Sequence, residues 1–450
     1  MARHTPDLFK HRRTTQDFLF SPSDDTVDEA KKEELPDLET DDSVHLKIRF
    51  PDMLDRQGLE EAIASPMASA SDLCILAIKV ERDGRSEADR IRQTDISETR
   101  IEPIAHLCRT HGGSWGRIGR NRFAGLFTGR GVSDADKLGQ DLLQAVADEP
   151  DCRMTIGAAA YPTIHYTRGQ TLTNAEKALD HAGFIGPGTV TLFDAVSLNI
   201  SGDHYYQAGN ISSAIQEFEM GLRLDPADAN LHNSLGVCYG IIKDYDKALA
   251  AFDTAGWLDP ADVMAVYNKG YMLLLKGLRE EALACFLEAN ALEADVFEVV
   301  FHIGQLFMEM GSVEKARPYL EAATRTNSRS GSAFKSLGAC LDQQGLTREA
   351  IQAYKRTVKI NPADAQSLSN LGRLYTQLGE SLDVASVFCE QSVRIAPNDG
   401  LFRHRLGRVY LDQGKLDQAL AAFELAAALG HDSRRQIEET QDRLVAAEAS

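Results

Sequence analysis

The sequence predicts an α+β domain, with helices around a mixed, mainly antiparallel sheet, joined to an all-α superhelical solenoid. Three observations carry this expectation. Glycine recurs through the second half at a nearly constant spacing of 34 residues. Residues 49–194 alternate strand-like apolar runs with helix-like segments. Ahead of both, Asp24 to Asp42 holds ten acidic residues against only Lys31 and Lys32. The expected organisation is a disordered acidic tail over 1–48, the α+β domain over 49–194, seven repeats over 195–431 and a capping helix over 432–450.

Composition narrows the function classes. Hydrophobic residues make up 43% of the 450, enough for real cores, and the formal charge is -19. A chain that acidic is poorly suited to nucleic acid, which is bound by neutralising phosphates with Lys and Arg. The seven cysteines (74, 108, 152, 238, 285, 340, 389) form no CxxC pair and have no histidine at ligand spacing. Buried, reduced thiols in a cytoplasmic protein are the expectation, with no metal and no cofactor. No run approaches the roughly 18 apolar residues of a membrane span.

The second half is organised by period. Gly202, Gly236, Gly270, Gly304, Gly338, Gly372 and Gly407 are followed by Ala214, Ala248, Ala282, Ala316, Ala350, Ala385 and Ala419. Four residues after each alanine stand Phe218, Phe252, Phe286, Leu320, Tyr354, Cys389 and Phe423. Small residues let two helices approach, and the large one fills the gap between them. Pro226, Pro260, Pro362 and Pro397 close four of the repeats, just beyond a helix end. This pattern resembles the tetratricopeptide repeat, and "LHNSLGVCYGIIKDYDKALAAFDTAGWLDP" (231–260) carries the resemblance most fully, with His232 where the family has tryptophan. The sixth repeat departs by a one-residue insertion near Gly379.

In the first half, "DLCILAIKV" (72–80) reads as a buried strand and "RIEPIAHLCRTHG" (100–112) as a helix ending at glycine. A hairpin over 114–127, a helix over 134–147, strand "RMTIGAAAY" (153–161), helix "TNAEKALDHAG" (173–183) and strand "TVTLF" (189–193) follow. "MLDRQGLEEAI" (53–63), with Asp55 and Arg56, together with "WGRIGRNRFAGLF", "MTIGAAAYP" and "AEKALDHAG", resembles the GGDEF family of diguanylate cyclases over the whole domain.

The resemblance keeps the scaffold and loses the chemistry. Family members hold a triphosphate with two carboxylate-bound metal ions. Here Lys79 stands where the first metal-binding aspartate belongs, and the signature reads Gly119, Arg120, Asn121, Arg122, Phe123. Cations cannot ligate Mg²⁺. The guanine-reading positions fall at Glu87 and Ala88, the phosphate-contacting lysine becomes Gly183, and the inhibitory site would sit at Thr110 and Gly113. The resemblance therefore implies a bacterial pseudoenzyme with no catalytic residues. Arg117, Arg120 and Arg122 leave open a residual grip on a phosphorylated ligand.

Binding is expected in the groove lined by the first helix of each repeat. In the last three repeats the inward positions include Lys335, Asn370, Arg373, His404, Arg405 and Arg408, predicting a basic groove for a protein or peptide partner with an acidic C-terminus. Lys335, Asn370 and Arg405 match three of the five positions of the two-carboxylate clamp that some family members use, while Ala339 and Leu401 do not match. Met264, Tyr267, Tyr271 and Leu274 offer either a hydrophobic peptide pocket or packing between repeats. The function implied is a non-catalytic signalling scaffold or adaptor. The alternative is a regulator in which GTP or cyclic di-GMP on the GGDEF-like domain tunes partner binding. The acidic tail could compete for the groove.

Overall fold

A computed structural model describes residues 42–65, 72–81, 98–147, 149, 152–379 and 381–448. By contacts the described chain divides into two compact bodies, one ending at Pro260 and the other beginning at Ala261.

The first body opens with helices α1 (Asp42–Arg49) and α2 (Arg56–Ala64), followed by β1 (Leu73–Glu81), α3 (Glu98–Thr110), β2 (Ser114–Arg117) and β3 (Arg122–Thr128). Next come α4 (Val132–Ala145), β4 (Arg153–Tyr161), α5 (Thr171–Ile185) and β5 (Val190–Leu192). The sheet order is β2-β3-β1-β4-β5; only the β4–β5 pair is parallel, so the sheet is mixed and mainly antiparallel. Strand β1 is buried on both faces, which explains its continuous apolar run. Cys74, Leu76, Ile78 and Val80 pack with α1, α3 and α4, whereas Leu73, Ile75 and Ala77 pack with α2 and α5.

One expectation needs correcting. The disorder expected up to residue 48 does not hold for residues 42–48, because α1 occupies Asp42–Arg49. Leu46 and Phe50 are buried in the core, and the Phe50 ring meets Trp115 edge-on at 5.4 Å. These apolar side chains lie at the end of a charged run, which hid the helix from a composition-based reading. The acidic segment itself, up to residue 41, lies outside the described residues.

The residues "Asp55-Arg56" serve the scaffold. Asp55 caps α2 by accepting from the Gly58 N–H at 2.8 Å. Arg56 makes a two-pronged bond to Glu176 of α5, at 3.0 and 2.7 Å. Gly157 of β4 lies so close to α5 that a Cβ there would fall within the backbone at Ala175 and Leu179.

Two residues after β5 the chain enters α6 (Ala195–Gln207), then α7 (Ile211–Leu224), α8 (Ala229–Ile241) and α9 (Tyr245–Leu258). Asp194 caps α6 through the Ser197 N–H and also contacts His181 Nδ1 at 3.3 Å. Lys177 of α5 donates to both oxygens of Glu217 on α7, at 2.8 and 2.7 Å, with both side chains largely buried. The first two repeats are thus packed into the same body as the sheet.

The second body contains α10 (Val263–Leu275), α11 (Arg279–Leu292), α12 (Phe297–Glu309), α13 (Val313–Thr326), α14 (Gly331–Gln343) and α15 (Thr347–Ile360). It continues with α16 (Ala365–Leu378), α17 (Leu382–Ile395), α18 (Gly400–Asp412), α19 (Leu416–Ala428) and α20 (Arg434–Glu448). Each periodic glycine meets the large side chain that the sequence pairs with it. A Cβ on Gly236 would lie 2.5 Å from the Phe252 ring, and one on Gly407 would lie 2.7 Å from Phe423. The turn between the two helices of a repeat needs a left-handed residue, supplied by Gly277, Gly311, Gly345 and Gly414 at φ of 83°, 73°, 74° and 74°. In the second repeat Lys243 adopts this conformation at φ 65° without being glycine. Helix α20 falls within the segment expected to form a cap.

All seven cysteines are buried. Burial pushes Cys74, Cys108 and Cys389 up to about 12, which holds them as thiols. No helix among the described residues is long and apolar enough to cross a membrane.

Candidate functional site

Of the six predicted groove residues, Lys335, Asn370, Arg373 and Arg405 link successive first helices of the last three repeats, while His404 and Arg408 turn to the segment at α20. Lys335 of α14 donates to Asp364, the residue capping α16, at 2.8 Å. Burial works against the Asp364 carboxylate, but hydrogen bonds from Lys335 and Ser367 outweigh it and hold its pKa below the ordinary value. Arg373 of α16 reaches back to Asp342 of α14. Arg408 of α18 faces Glu439 of α20 at 4.0 Å. His404 bonds Ser433 at 2.8 Å and packs against His431, with ring centroids 4.5 Å apart. The groove expected to be basic is therefore largely neutralised by its own carboxylates. Two of its six residues, His404 and Arg408, contact the C-terminal cap segment.

Arg405 differs from the rest. Its Nη1 donates to Ser369 Oγ at 2.9 Å and to Asn370 Oδ1 at 2.8 Å, and no carboxylate lies within ion-pair distance among the described residues. Burial and then the neighbouring Arg373 lower its pKa, outweighing the more distant Asp342 carboxylate. Both bonds leave from Nη1, so the edge formed by Nε and Nη2 meets no protein acceptor among the described residues. That edge is the one a carboxylate engages with two parallel hydrogen bonds.

The third-repeat aromatics resolve to packing. Tyr267 is fully buried and Tyr271 nearly so; both rings pack on His302, with centroids at 5.8 and 5.6 Å. His302 was not singled out by sequence, and neither was the recurrence of helix caps at Asp194, Asp228, Asp262, Ser330, Asp364 and Asp399. A search for Asp or Ser at the repeat period would have found the caps.

At the hairpin, the β1–β3 register sets Lys79 opposite Arg122. Phe123 is fully buried in the core. Arg117 folds back onto the turn, donating to the carbonyls of Gly119 at 3.0 Å and Arg120 at 2.7 Å. Asn121 exchanges backbone and side-chain bonds with Val80, its Nδ2 reaching the Val80 carbonyl at 3.4 Å. Arg120 is exposed at the tip. Of the three hairpin arginines, one is engaged by the turn itself, one points to solvent, and Arg122 faces Lys79. Glu87 and Ala88 lie outside the described residues.

Family models for the tetratricopeptide repeat match residues 302–365 and 402–429, and a TPR repeat model matches residues 202–240. The chain carries tandem tetratricopeptide repeats. Among curated proteins, the BBSome complex member BBS4 of Bos taurus is 24% identical over 221 residues, covering 49% of this chain. The match spans 41% of that protein's length. Among solved structures, YrrB, a TPR protein described as having an unusual peptide-binding site, is 22% identical with a TM-score of 0.39, covering 42% of this chain and 96% of that one. PilF of Pseudomonas aeruginosa is 23% identical with a TM-score of 0.42, covering 46% of this chain and 95% of that one.

Proposed function

We propose that the protein is a non-catalytic signalling scaffold of the bacterial cytoplasm that binds a protein or peptide through its tetratricopeptide repeats, with Arg405 as the anchor for a partner carboxylate. The observation that carries this reading is the unengaged Nε/Nη2 edge of a half-buried guanidinium. A two-carboxylate clamp is not favoured, because Lys335, its second cation, is already bonded to Asp364. One carboxylate, from an acidic C-terminus or an acidic side chain, matches the chemistry. Panning a peptide library with free C-termini against the wild type and Arg405→Gln tests this. Enrichment of acidic peptides by the wild type alone is expected; equal enrichment by both would remove Arg405 from the site.

In this reading the α+β layer is a GGDEF-like domain without cyclase activity. Support comes from the cross-strand pair Lys79 and Arg122, two cations at positions where metal binding needs carboxylates. The purified chain should make no cyclic di-GMP from GTP with Mg²⁺ or Mn²⁺. A second reading, a regulator responsive to GTP or cyclic di-GMP, draws support from the Lys177–Glu217 bridge, which couples α5 of the layer to the first repeat. Saturable thermal stabilisation by either nucleotide would favour it.

A further inference from the structure

A cavity of about 240 Å³ opens among Lys79 and Arg122 at the sheet, Asp180, Gly183 and Phe184 in the second half of α5, and His204 of α6. Two like charges directly opposite on adjacent strands repel each other and weaken the pairing. The molecule's own carboxylates only partly offset this. Lys79 Nζ stands 3.7 Å from Glu81, and Arg122 Nη2 stands 3.6 Å from Asp180. Those separations are ion pairs beyond hydrogen-bond length, so the ammonium and guanidinium keep donors to give. Gly183 leaves one wall open, since nothing lies within 4 Å of where its Cβ would be. On the rim, Phe184 is 73% exposed, an unusual position for a large apolar residue.

We infer that this cavity is a metal-independent site for a small phosphomonoester, with Lys79 and Arg122 binding the dianion and Phe184 covering the ester's apolar group. The cations stand in for the positive charge that a metal ion brings to a phosphate. One pair of cations beside one exposed phenylalanine offers a place for a single phosphate and a single apolar group, which matches a monophosphate ester. The inference is independent of the groove reading, because none of its residues lies in the last three repeats.

Calorimetric titration of the full chain with phenyl phosphate in EDTA, beside inorganic phosphate, tests it. Saturable binding without metal is expected, tighter for phenyl phosphate and weakened at least about tenfold in Lys79→Met/Arg122→Gln. Asp180→Asn removes the competing carboxylate and should tighten binding several-fold, a gain that misfolding cannot mimic. Phe184→Ala should reduce affinity for phenyl phosphate while leaving inorganic phosphate unchanged. Absence of saturable binding, unchanged affinity in the double variant, or a requirement for Mg²⁺ would each overturn the inference.

Discussion

Lys79 of the hairpin and Lys335 of the repeats are almost equally exposed, 39% and 40% by side chain, yet they are engaged in different ways. Lys335 donates a 2.8 Å hydrogen bond to a carboxylate that also caps a helix, whereas Lys79 stands 3.7 Å from Glu81 and makes no hydrogen bond among the described residues. The arginines repeat the contrast. Arg373 is tightly paired with Asp342, Arg122 only loosely with Asp180. In the stack of repeats each partner comes from the adjacent repeat, which the superhelix holds alongside. In the layered region a cation meets whatever the topology sets beside it. A charge visible in sequence therefore becomes a candidate binding group only if the fold leaves some of its donors without a hydrogen bond, as it does among the described residues at Arg405, Lys79 and Arg122.

The largest expected effect separates the packing of the two regions. Gly157→Ala would drive a methyl group into the backbone of α5 and should cost at least about 3 kcal/mol or unfold the layer. In Gly407→Ala the methyl group meets the edge of the Phe423 ring, which can shift, so about 1–3 kcal/mol is expected in denaturant titrations. Equal costs would show that the layer yields as readily as the repeats.

Acid should act on the second body through His302. It is 4% exposed, and burial pushes its pKa down to about 4. An unfolded histidine titrates near 6.5, so between those values the unfolded chain binds the additional proton. The stability from neutral His302 is complete above about pH 6.5 and is lost as pH falls towards 4, by about 3 kcal/mol in all. His404, pushed down to about 4 by burial and then by His431, Arg408 and Arg405, acts in the same direction with a smaller share because it is less buried. Melting His302→Phe beside the wild type at pH 5 and 7 checks this; an equally steep loss in the variant would contradict it.

The engagement of the cations is tested by a matched pair of substitutions. Lys335→Met should cost about 1 kcal/mol, since it leaves the largely buried Asp364 without its partner. Lys79→Met should leave stability unchanged or slightly raised, because it removes a like-charge neighbour of Arg122. The smallest effect is expected at Lys243→Gly. Relief of the left-handed backbone is partly offset by glycine's freedom in the unfolded chain, leaving a gain of no more than about 1 kcal/mol.

The repeats were legible in sequence because each glycine and its large partner lie a fixed distance apart within one helix pair. Gly236 with Phe252 and Gly407 with Phe423 needed no long-range information. The layer's strands and helices were readable from their apolar runs, but α1 was not, because Leu46 and Phe50 owe their burial to Trp115, far along the chain. At the candidate site, sequence supplied Arg405 and its neighbours as one cationic group. It could not show that Lys335, Arg373 and Arg408 face carboxylates, since those partners lie about 30 residues away. The cavity at Lys79 and Arg122 depends on a cross-strand register and on α5 and α6, none of which a local pattern encodes.

The central claim, that Arg405 receives a partner carboxylate, is tested most directly by a double-mutant cycle on a peptide recovered by panning. Its affinity would be measured as free acid and as C-terminal amide, or with its acidic side chain neutralised, against the wild type and Arg405→Gln. A coupling energy of about 1.5–3 kcal/mol between the carboxylate and Arg405 is predicted. Losses that simply add, with coupling within about 0.5 kcal/mol of zero, would contradict the account.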